Sequence, residues 1–338
     1  MGGDLAPQEP IRGALRAIRE MGVQVIFTGR KDDILATLQK DGYSNIPVGA
    51  EIVDCSEIIE VCDDPAVAWR KKQDSSMTVG LKLLKAGKGD AFLSAGSTGA
   101  LLSGATLLVK RINGVKRAAV APILPTSGGR AVLIDAGANS ECTPELLEQF
   151  AIMGSHYAAL ALGCDRPRVG LLNIGSEPSK GTELYQHTWQ RLDSLSKLGV
   201  IHFVGNIEGR DAIEGKADVI VADGFAGNIF LKTVEGTASC FYSELKAIFT
   251  KNARSMAAAA LVKSEISAFK SKYDYHEIGG TALLGISRPV IKVHGSSDAY
   301  TFCSAIRQAV QYAEAGIAEQ IEAQLAAAAQ STLHEKRN

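Results

Sequence analysis

The sequence has little charge of either sign to spare, few cysteines, few aromatics and no long apolar run. It balances 36 basic against 37 acidic residues, a formal net charge of −1, so its overall charge gives no support to nucleic-acid binding. Six cysteines in 338 residues exclude a disulfide-dense scaffold. They are scattered, with no C-x-x-C pair and no neighbouring histidine, so no zinc site or redox dithiol is expected and buried free thiols are. The longest apolar stretch, around Ala257 to Val262, falls well short of the roughly 18–20 residues a membrane span needs. Met1-Gly2-Gly3-Asp4 opens no basic, then apolar, leader, which points to the cytoplasm.

Several chemical signatures are missing too. No G-x-G-x-x-G and no G-x-x-x-x-G-K-[ST] occurs, which weakens a standard dinucleotide site and a nucleotide P-loop. No G-x-S-x-G elbow marks a covalent serine mechanism. Asp135, Glu177, Asp223 and Asp298 lack the clustering of a metal site, so neither metal nor cofactor is expected.

What the sequence has in excess is glycine, 34 residues where ordinary usage gives about 24. Short apolar, β-branched runs recur at Val23–Phe27, Ala91–Leu93, Ala131–Ile134, Val169–Leu172, Ile201–Val204, Val219–Val221 and Val290–Val293. Most are apolar on both faces, as buried parallel strands are. Helical segments lie between them, such as Thr143–Leu162 with Pro144 at a first helical position. The alternation predicts one α/β domain over 1–338, a doubly wound, mostly parallel sheet in three α/β/α layers.

Between about Phe241 and Tyr273 the strand signals stop and two helical stretches follow each other. Six basic residues (Lys246, Lys251, Arg254, Lys263, Lys270, Lys272) face two acids, a local +4, interleaved with Phe241, Leu245, Ile248, Phe249, Leu261, Ile266 and Phe269. This predicts a protruding basic amphipathic hairpin, taken as 238–276. Two uses stay open: a dimer-packing or solvated hairpin, and a reversible contact with an anionic membrane surface.

The glycines concentrate where strands end and helices begin: Ser94-Ala95-Gly96-Ser97-Thr98-Gly99, Asp135-Ala136-Gly137-Ala138-Asn139, Asn173-Ile174-Gly175-Ser176-Glu177, Ala222 to Asn228, and His294-Gly295-Ser296-Ser297-Asp298. The carboxyl ends of parallel strands form the rim where ligands bind. Glycine lets backbone N–H groups approach an anion there, and helix N-termini add partial positive charge. As a set these turns predict a phosphate-like guest.

Three side chains stand out. Lys180 sits on the rim at the expected start of a helix, either as a solvated lysine or as a cation for an incoming anion or developing oxyanion. His294 ends the last strand, as a structural histidine or as a general acid or ligand donor. Asn228 closes its loop, hydrogen-bonding a substrate oxygen or merely capping a helix. The other histidines, His156, His187, His202, His276 and His334, carry no assigned chemistry.

Taken in order, MGGD from Met1, Trp69-Arg70-Lys71-Lys72 with Asp74-Ser75-Ser76-Met77, SAGSTGA from Ser94, DAGAN from Asp135, QFAIMGS from Gln149, RVGLLNIGSE from Arg168, KGTEL from Lys180, VGNIEGRD from Val204, ADGFAGN from Ala222 and KVHGSSDA from Lys292 closely resemble the bacterial PlsX family. These are the acyl-carrier-protein:phosphate acyltransferases of phospholipid synthesis. The resemblance implies a Rossmann-like α/β/α fold, akin to those of isopropylmalate dehydrogenase and phosphotransacetylase. It implies that inorganic phosphate attacks the thioester of a long-chain acyl-(acyl carrier protein), giving acyl phosphate and free carrier protein. It further implies a homodimer, peripheral attachment to the inner face of the cell membrane, and a glycerol-3-phosphate acyltransferase that takes the product.

Carried onto this sequence, the resemblance makes Lys180 the group for phosphate or oxyanion, Asn228 the group orienting the carbonyl, and His294 a proton donor or phosphate ligand. Substrate- and phosphate-binding positions are Asp4, Gly96, Ser97, Thr98, Gly99, Asn139, Glu177, Gly227 and Ser296. Carrier recognition calls for a basic patch, from Arg70, Lys71 and Lys72 or from the hairpin. Alternatives are an acyl-CoA-using phosphate acyltransferase and a non-enzymatic membrane-associated scaffold. Family members carry a short I-A-x-D-A strand before MGGD, so a chain opening at Met1 is expected to lack one strand. It would be less stable and less active than a form longer by about seven residues, roughly one strand's length.

Overall fold

The computed structural model describes residues 1–266, 269 and 279–335. Eleven strands are found among them: β1 Val25–Gly29, β2 Ala50–Asp54, β3 Phe92–Ser94, β4 Ala119–Ala121, β5 Ile123–Thr126, β6 Gly129–Ile134, β7 Arg168–Leu172, β8 His202–Ile207, β9 Val219–Val221, β10 Thr281–Leu284 and β11 Val290–Lys292. The helices are α1 Gln8–Met21, α2 Lys31–Lys40, α3 Ala68–Lys71, α4 Ser76–Lys85, α5 Thr98–Gly104, α6 Pro144–Leu162, α7 Glu183–Lys197, α8 Gly209–Glu214, α9 Gly224–Thr250, α10 Ala253–Leu261, α11 Ala299–Glu314 and α12 Ile317–Glu335.

The strands form a pair, β1-β2, a four-stranded sheet, β3-β11-β10-β4, and a five-stranded sheet, β5-β6-β9-β7-β8. Five of the eight strand pairings are parallel; the antiparallel ones involve β10 and the β5-β6 hairpin. This is the expected mostly parallel α/β fold, with one difference. The single sheet read from the sequence is divided, and the chain crosses from the four- to the five-stranded sheet where Pro122 separates β4 from β5. A proline cannot donate to a ladder, so pairing is interrupted there.

Alternation along each strand shows the layers. Val219 and Val221 enter one core cluster with Phe150, Met153 and Tyr157 of α6, while Ile220 between them enters another with Leu81, Leu84 and Leu101. Val132 and Ile134 against Leu133, and Ala282 and Leu284 against Leu283, divide the same way. Strands of both larger sheets thus contribute to both clusters, which makes a sheet layer buried between two helical layers. At β9 the burial is complete, with Val219, Ile220 and Val221 all 0% exposed. Gly154 on α6 allows the helix to approach that closely, since a Cβ there would lie 2.7 Å from Val219 Cγ1.

A groove of about 1260 Å³ separates β1 from β3, lined by Val25, Phe27, Phe92, Leu93 and Phe302 among others. The facing edges of these two strands have no paired neighbour among the described residues.

Helix α9 runs unbroken from Gly224, and nearly all of its residues from Gly236 on are exposed, so the hairpin expected at 238–276 continues a helix that starts at the rim. Of its 27 residues only Gly224 and Gly227 are buried, and α10 buries none. Lys270, Lys272, Tyr273 and His276 lie outside the described residues. The free thiols are also less buried than expected: Cys55 and Cys303 are buried, Cys142 and Cys164 partly so, and Cys62 and Cys240 are exposed.

Candidate functional site

The five-stranded sheet carries three of the glycine turns, and a buried acid organises the first. Asp135, at the end of β6, accepts hydrogen bonds from the amides of Val120 (2.9 Å), Ala138 (3.1 Å) and Asn139 (2.7 Å) and from Asn139 Nδ2 (2.9 Å). Burial pushes its carboxyl up from the usual range, and these donors pull it back. Asn139 Nδ2 also donates to the Ala118 carbonyl (2.8 Å), so this amide holds the turn onto the chain just ahead of β4 and has its donors engaged.

The start of α9 is sewn to the same turn. Gly224 N–H donates to the Asn139 carbonyl at 2.7 Å. Gly227 packs on the Asp135 carbonyl so tightly that a Cβ would lie 1.9 Å from that oxygen. The helix cap is Asp223, whose Oδ1 accepts from Phe225 N (2.9 Å) and Ala226 N (2.8 Å). Asn228 is therefore neither a cap nor a loop residue but lies inside α9, exposed, with one N–H donated to the Ala136 carbonyl at 3.0 Å. No partner for its second amide N–H is found among the described residues.

Between β7 and α7 the turn bearing Lys180 is held by its own backbone. Lys180 N–H donates to the Glu177 carbonyl (3.0 Å), Asn173 Nδ2 to the Lys180 carbonyl (3.1 Å) and Asn206 Nδ2 to the Glu177 carbonyl (2.8 Å). Lys180 is not at a helix start, since α7 begins three residues later with Thr182 at its N-cap position. No ion pair to Lys180 is found among the described residues, and its side chain is exposed, lying with that of Glu177 over Gly175. Tyr185 of α7 donates to Asp223 Oδ2 at 2.6 Å and so ties this turn to the cap of α9. Burial and the adjacent carboxylate both push the Tyr185 phenol up, keeping it a donor.

The four-stranded sheet carries the other two turns. After β3, Gly96 N–H donates to Ser94 Oγ (3.2 Å) and Ser97 caps α5, which opens with Thr98 and Gly99; Gly99 rests on Pro65. After β11, the Ser296 amide and hydroxyl approach His294 Nδ1 at 3.3 and 2.8 Å. An amide N–H only donates, so Nδ1 is an acceptor and the ring proton sits on Nε2. Asp4 N–H donates to the Gly295 carbonyl at 3.0 Å, and its carboxylate lies over Gly295.

The twelve expected site residues thus fall into two clusters. Glu177, Lys180, Asn139, Gly227 and Asn228 lie on one sheet's rim; Asp4, Gly96, Ser97, Thr98, Gly99, His294 and Ser296 lie on the other's. Strand β4 connects them: Val120 N–H donates to the Asp135 carboxylate, and Ala121 pairs with Ala282, which pairs in turn with Ile291 of β11. Asp135, Tyr185, Asp223 and Lys292 were missed. The first three are legible only as partners of other residues, whereas Lys292 is a charge inside an otherwise apolar strand run.

A family model described as "Fatty acid synthesis protein" matches residues 1–320. The chain is 44% identical over 325 residues to a phosphate acyltransferase of Thermoanaerobacterium thermosaccharolyticum, covering 96% of this chain and 95% of that one. It is 45% identical over 321 residues to a phosphate acyltransferase of Alkaliphilus oremlandii, covering 95% and 94%. The chain belongs to the phosphate acyltransferase family. Members of this family are acyltransferases of fatty acid and phospholipid synthesis, and the non-enzymatic scaffold reading falls away. In fold, this phosphate acyltransferase resembles a phosphotransacetylase from Streptococcus pyogenes, with a TM-score of 0.62 at 17% identity over 92% of each chain.

Proposed function

We propose that this phosphate acyltransferase moves a long-chain acyl group from acyl-(acyl carrier protein) to inorganic phosphate in the cytoplasm. The observation that carries the reading is the 44–45% identity to phosphate acyltransferases over nearly the whole chain. The site supports it with glycine turns at helix N-termini, an exposed lysine that forms no ion pair among the described residues and a histidine bearing its proton on Nε2.

In this reading a phosphate oxygen attacks the thioester carbonyl, the C–O bond forms, the C–S bond breaks and the carrier leaves as thiolate. The turns and Lys180 hold the anion and the developing oxyanion; the second N–H of Asn228 orients the carbonyl; His294 Nε2–H binds phosphate or protonates the thiolate. A thiolate leaves readily, so positioning and charge stabilisation suffice without a covalent intermediate.

Acyl carrier protein as the donor is supported by exposed Arg70 and Lys71. Lys72 is a weaker candidate, because its ammonium is occupied by Asp63 (2.5 Å) and the Ile58 carbonyl (2.8 Å). The hairpin suits a homodimer contact and peripheral membrane attachment: Phe241 is 68% and Leu261 85% exposed, beside Lys246 and Lys263. No helix among the described residues is long and apolar enough to cross a membrane. The acyl phosphate product would pass to a glycerol-3-phosphate acyltransferase.

Comparing acyl-(acyl carrier protein) with acyl-CoA at equal chain length tests the donor. We expect kcat/KM to favour the carrier protein by about tenfold or more at low salt, with the preference shrinking as salt screens the encounter. Equal use of both donors at every ionic strength would favour the acyl-CoA reading.

A further inference from the structure

Lys292 is the last residue of β11, in register with Ser94 of β3 and Thr281 of β10. Its side chain turns inward, and its ammonium donates to two carbonyl oxygens, that of Ala95 at 3.4 Å and that of Val293. The first carbonyl belongs to the turn carrying Gly96–Gly99 and the second precedes His294. No ion pair to Lys292 is found among the described residues, and two carbonyls account for only two of its three N–H donors. In the His294–Ser297 turn that follows, Ser297 Oγ is fully buried and finds no hydrogen-bond partner among the described residues.

An ammonium largely withdrawn from water and not ion-paired among the described residues is costly, and proteins retain one where an anion completes it. We propose that Lys292 is the positioning cation of the phosphate site. It clamps the Ala95–Gly99 and His294–Ser297 turns together, and its charge favours the phosphate dianion they receive. This rests on the reading of these turns as the phosphate site.

Burial pushes the Lys292 ammonium down to about 8, with Asp4 the acid that pulls it back. Ser94 faces it from β3, Ala95 from the turn that follows and Thr281 from β10, all uncharged; Asp4 faces it from the N-terminal turn, and His294 lies two residues beyond. The cation is therefore present at neutral pH and lost as pH rises through about 8. Stability moves the opposite way: above this value the unfolded chain holds the proton more tightly, so folding is favoured, not weakened, as pH rises toward the ordinary lysine range. An alkaline fall in activity from this group is thus not unfolding.

The test is the pH dependence of KM for inorganic phosphate in the full-length enzyme and in Lys292→Met and Lys292→Arg, with melting temperatures alongside. We expect the wild-type KM for phosphate to rise above pH 8. Lys292→Met should raise that KM about ten- to hundredfold at pH 7 and flatten the alkaline rise, without lowering the melting temperature or changing KM for the acyl donor. Lys292→Arg should restore phosphate binding in part and move the rise to higher pH. A Lys292→Met enzyme with wild-type KM for phosphate and an unchanged alkaline limb would overturn the role of Lys292. If Lys180→Ala still lowered activity about 10²–10³-fold in that case, the phosphate-site reading would stand without it. Should Lys292→Met fail to fold, an alkaline limb unmoved in Lys292→Arg would overturn the inference by itself.

Discussion

Lys180→Ala is expected to lower acyl phosphate synthesis by about 10²–10³-fold, the usual scale for losing one group that stabilises a developing oxyanion. The protein should melt as before. The turn is held by the Lys180 amide and carbonyl, the Asn173 and Asn206 side chains and the Gln186 side chain, none of which the substitution removes. The ammonium is exposed and forms no ion pair among the described residues, so folding does not depend on it. His294→Ala should reduce turnover on a comparable scale by removing the Nε2 proton that Ser296 holds in place. If both variants kept full activity, the proposed site would be wrong.

The largest structural effect is expected at Gly227→Ala. A Cβ at 1.9 Å from the Asp135 carbonyl oxygen meets backbone on both sides, so no side chain can yield. Either the start of α9 or the turn after β6 must move, breaking the Gly224 bond to Asn139 and displacing Asn228. The cost should reach about 3 kcal/mol or more, at the upper end of overpacking penalties. Activity should disappear even in the fraction that folds. Gly236→Ala, in the same helix but with nothing within 4 Å of the added carbon, is the matched control. It should be neutral or stabilising by about 0.5–1 kcal/mol. Equal melting temperatures for the two variants would show that the contact at Gly227 is not a constraint.

The sequence announced those elements whose chemistry is local. Val219–Val221 and Ala131–Ile134 are apolar without interruption because both their faces are covered, and they were legible for that reason. Thr143 and Pro144 marked the start of α6 correctly, although the Thr143 hydroxyl makes no cap bond. β4 and β5 were not legible, because Ala-Val-Ala-Pro-Ile-Leu-Pro-Thr contains two prolines. Pro125 is tolerated since β5 is an edge strand of its sheet, a fact that depends on tertiary neighbours. β2 begins and ends beside acidic residues, which hides a short apolar centre.

The site divides in the same way. The glycine turns, Lys180 and His294 could be picked out because residue type and place in the strand-helix alternation already suggested their chemistry. Asn228 could not be placed correctly: whether it caps or continues a helix depends on Asp223 taking the cap. Asn139 carried a binding signal in the sequence but spends its amide N–H groups on Asp135 and Ala118. The tautomer of His294 and the inward turn of Lys292 are set by contacts with backbone atoms of other segments, and no spacing in the chain encodes those.

The most direct test is to incubate the purified enzyme with a long-chain acyl-(acyl carrier protein) and isotopically labelled inorganic phosphate. The expected result is labelled acyl phosphate formed one-for-one with free carrier thiol, and no thioester cleavage when phosphate is left out. Cleavage that proceeds equally without phosphate, or an intact thioester in its presence, would contradict direct transfer to phosphate at this site.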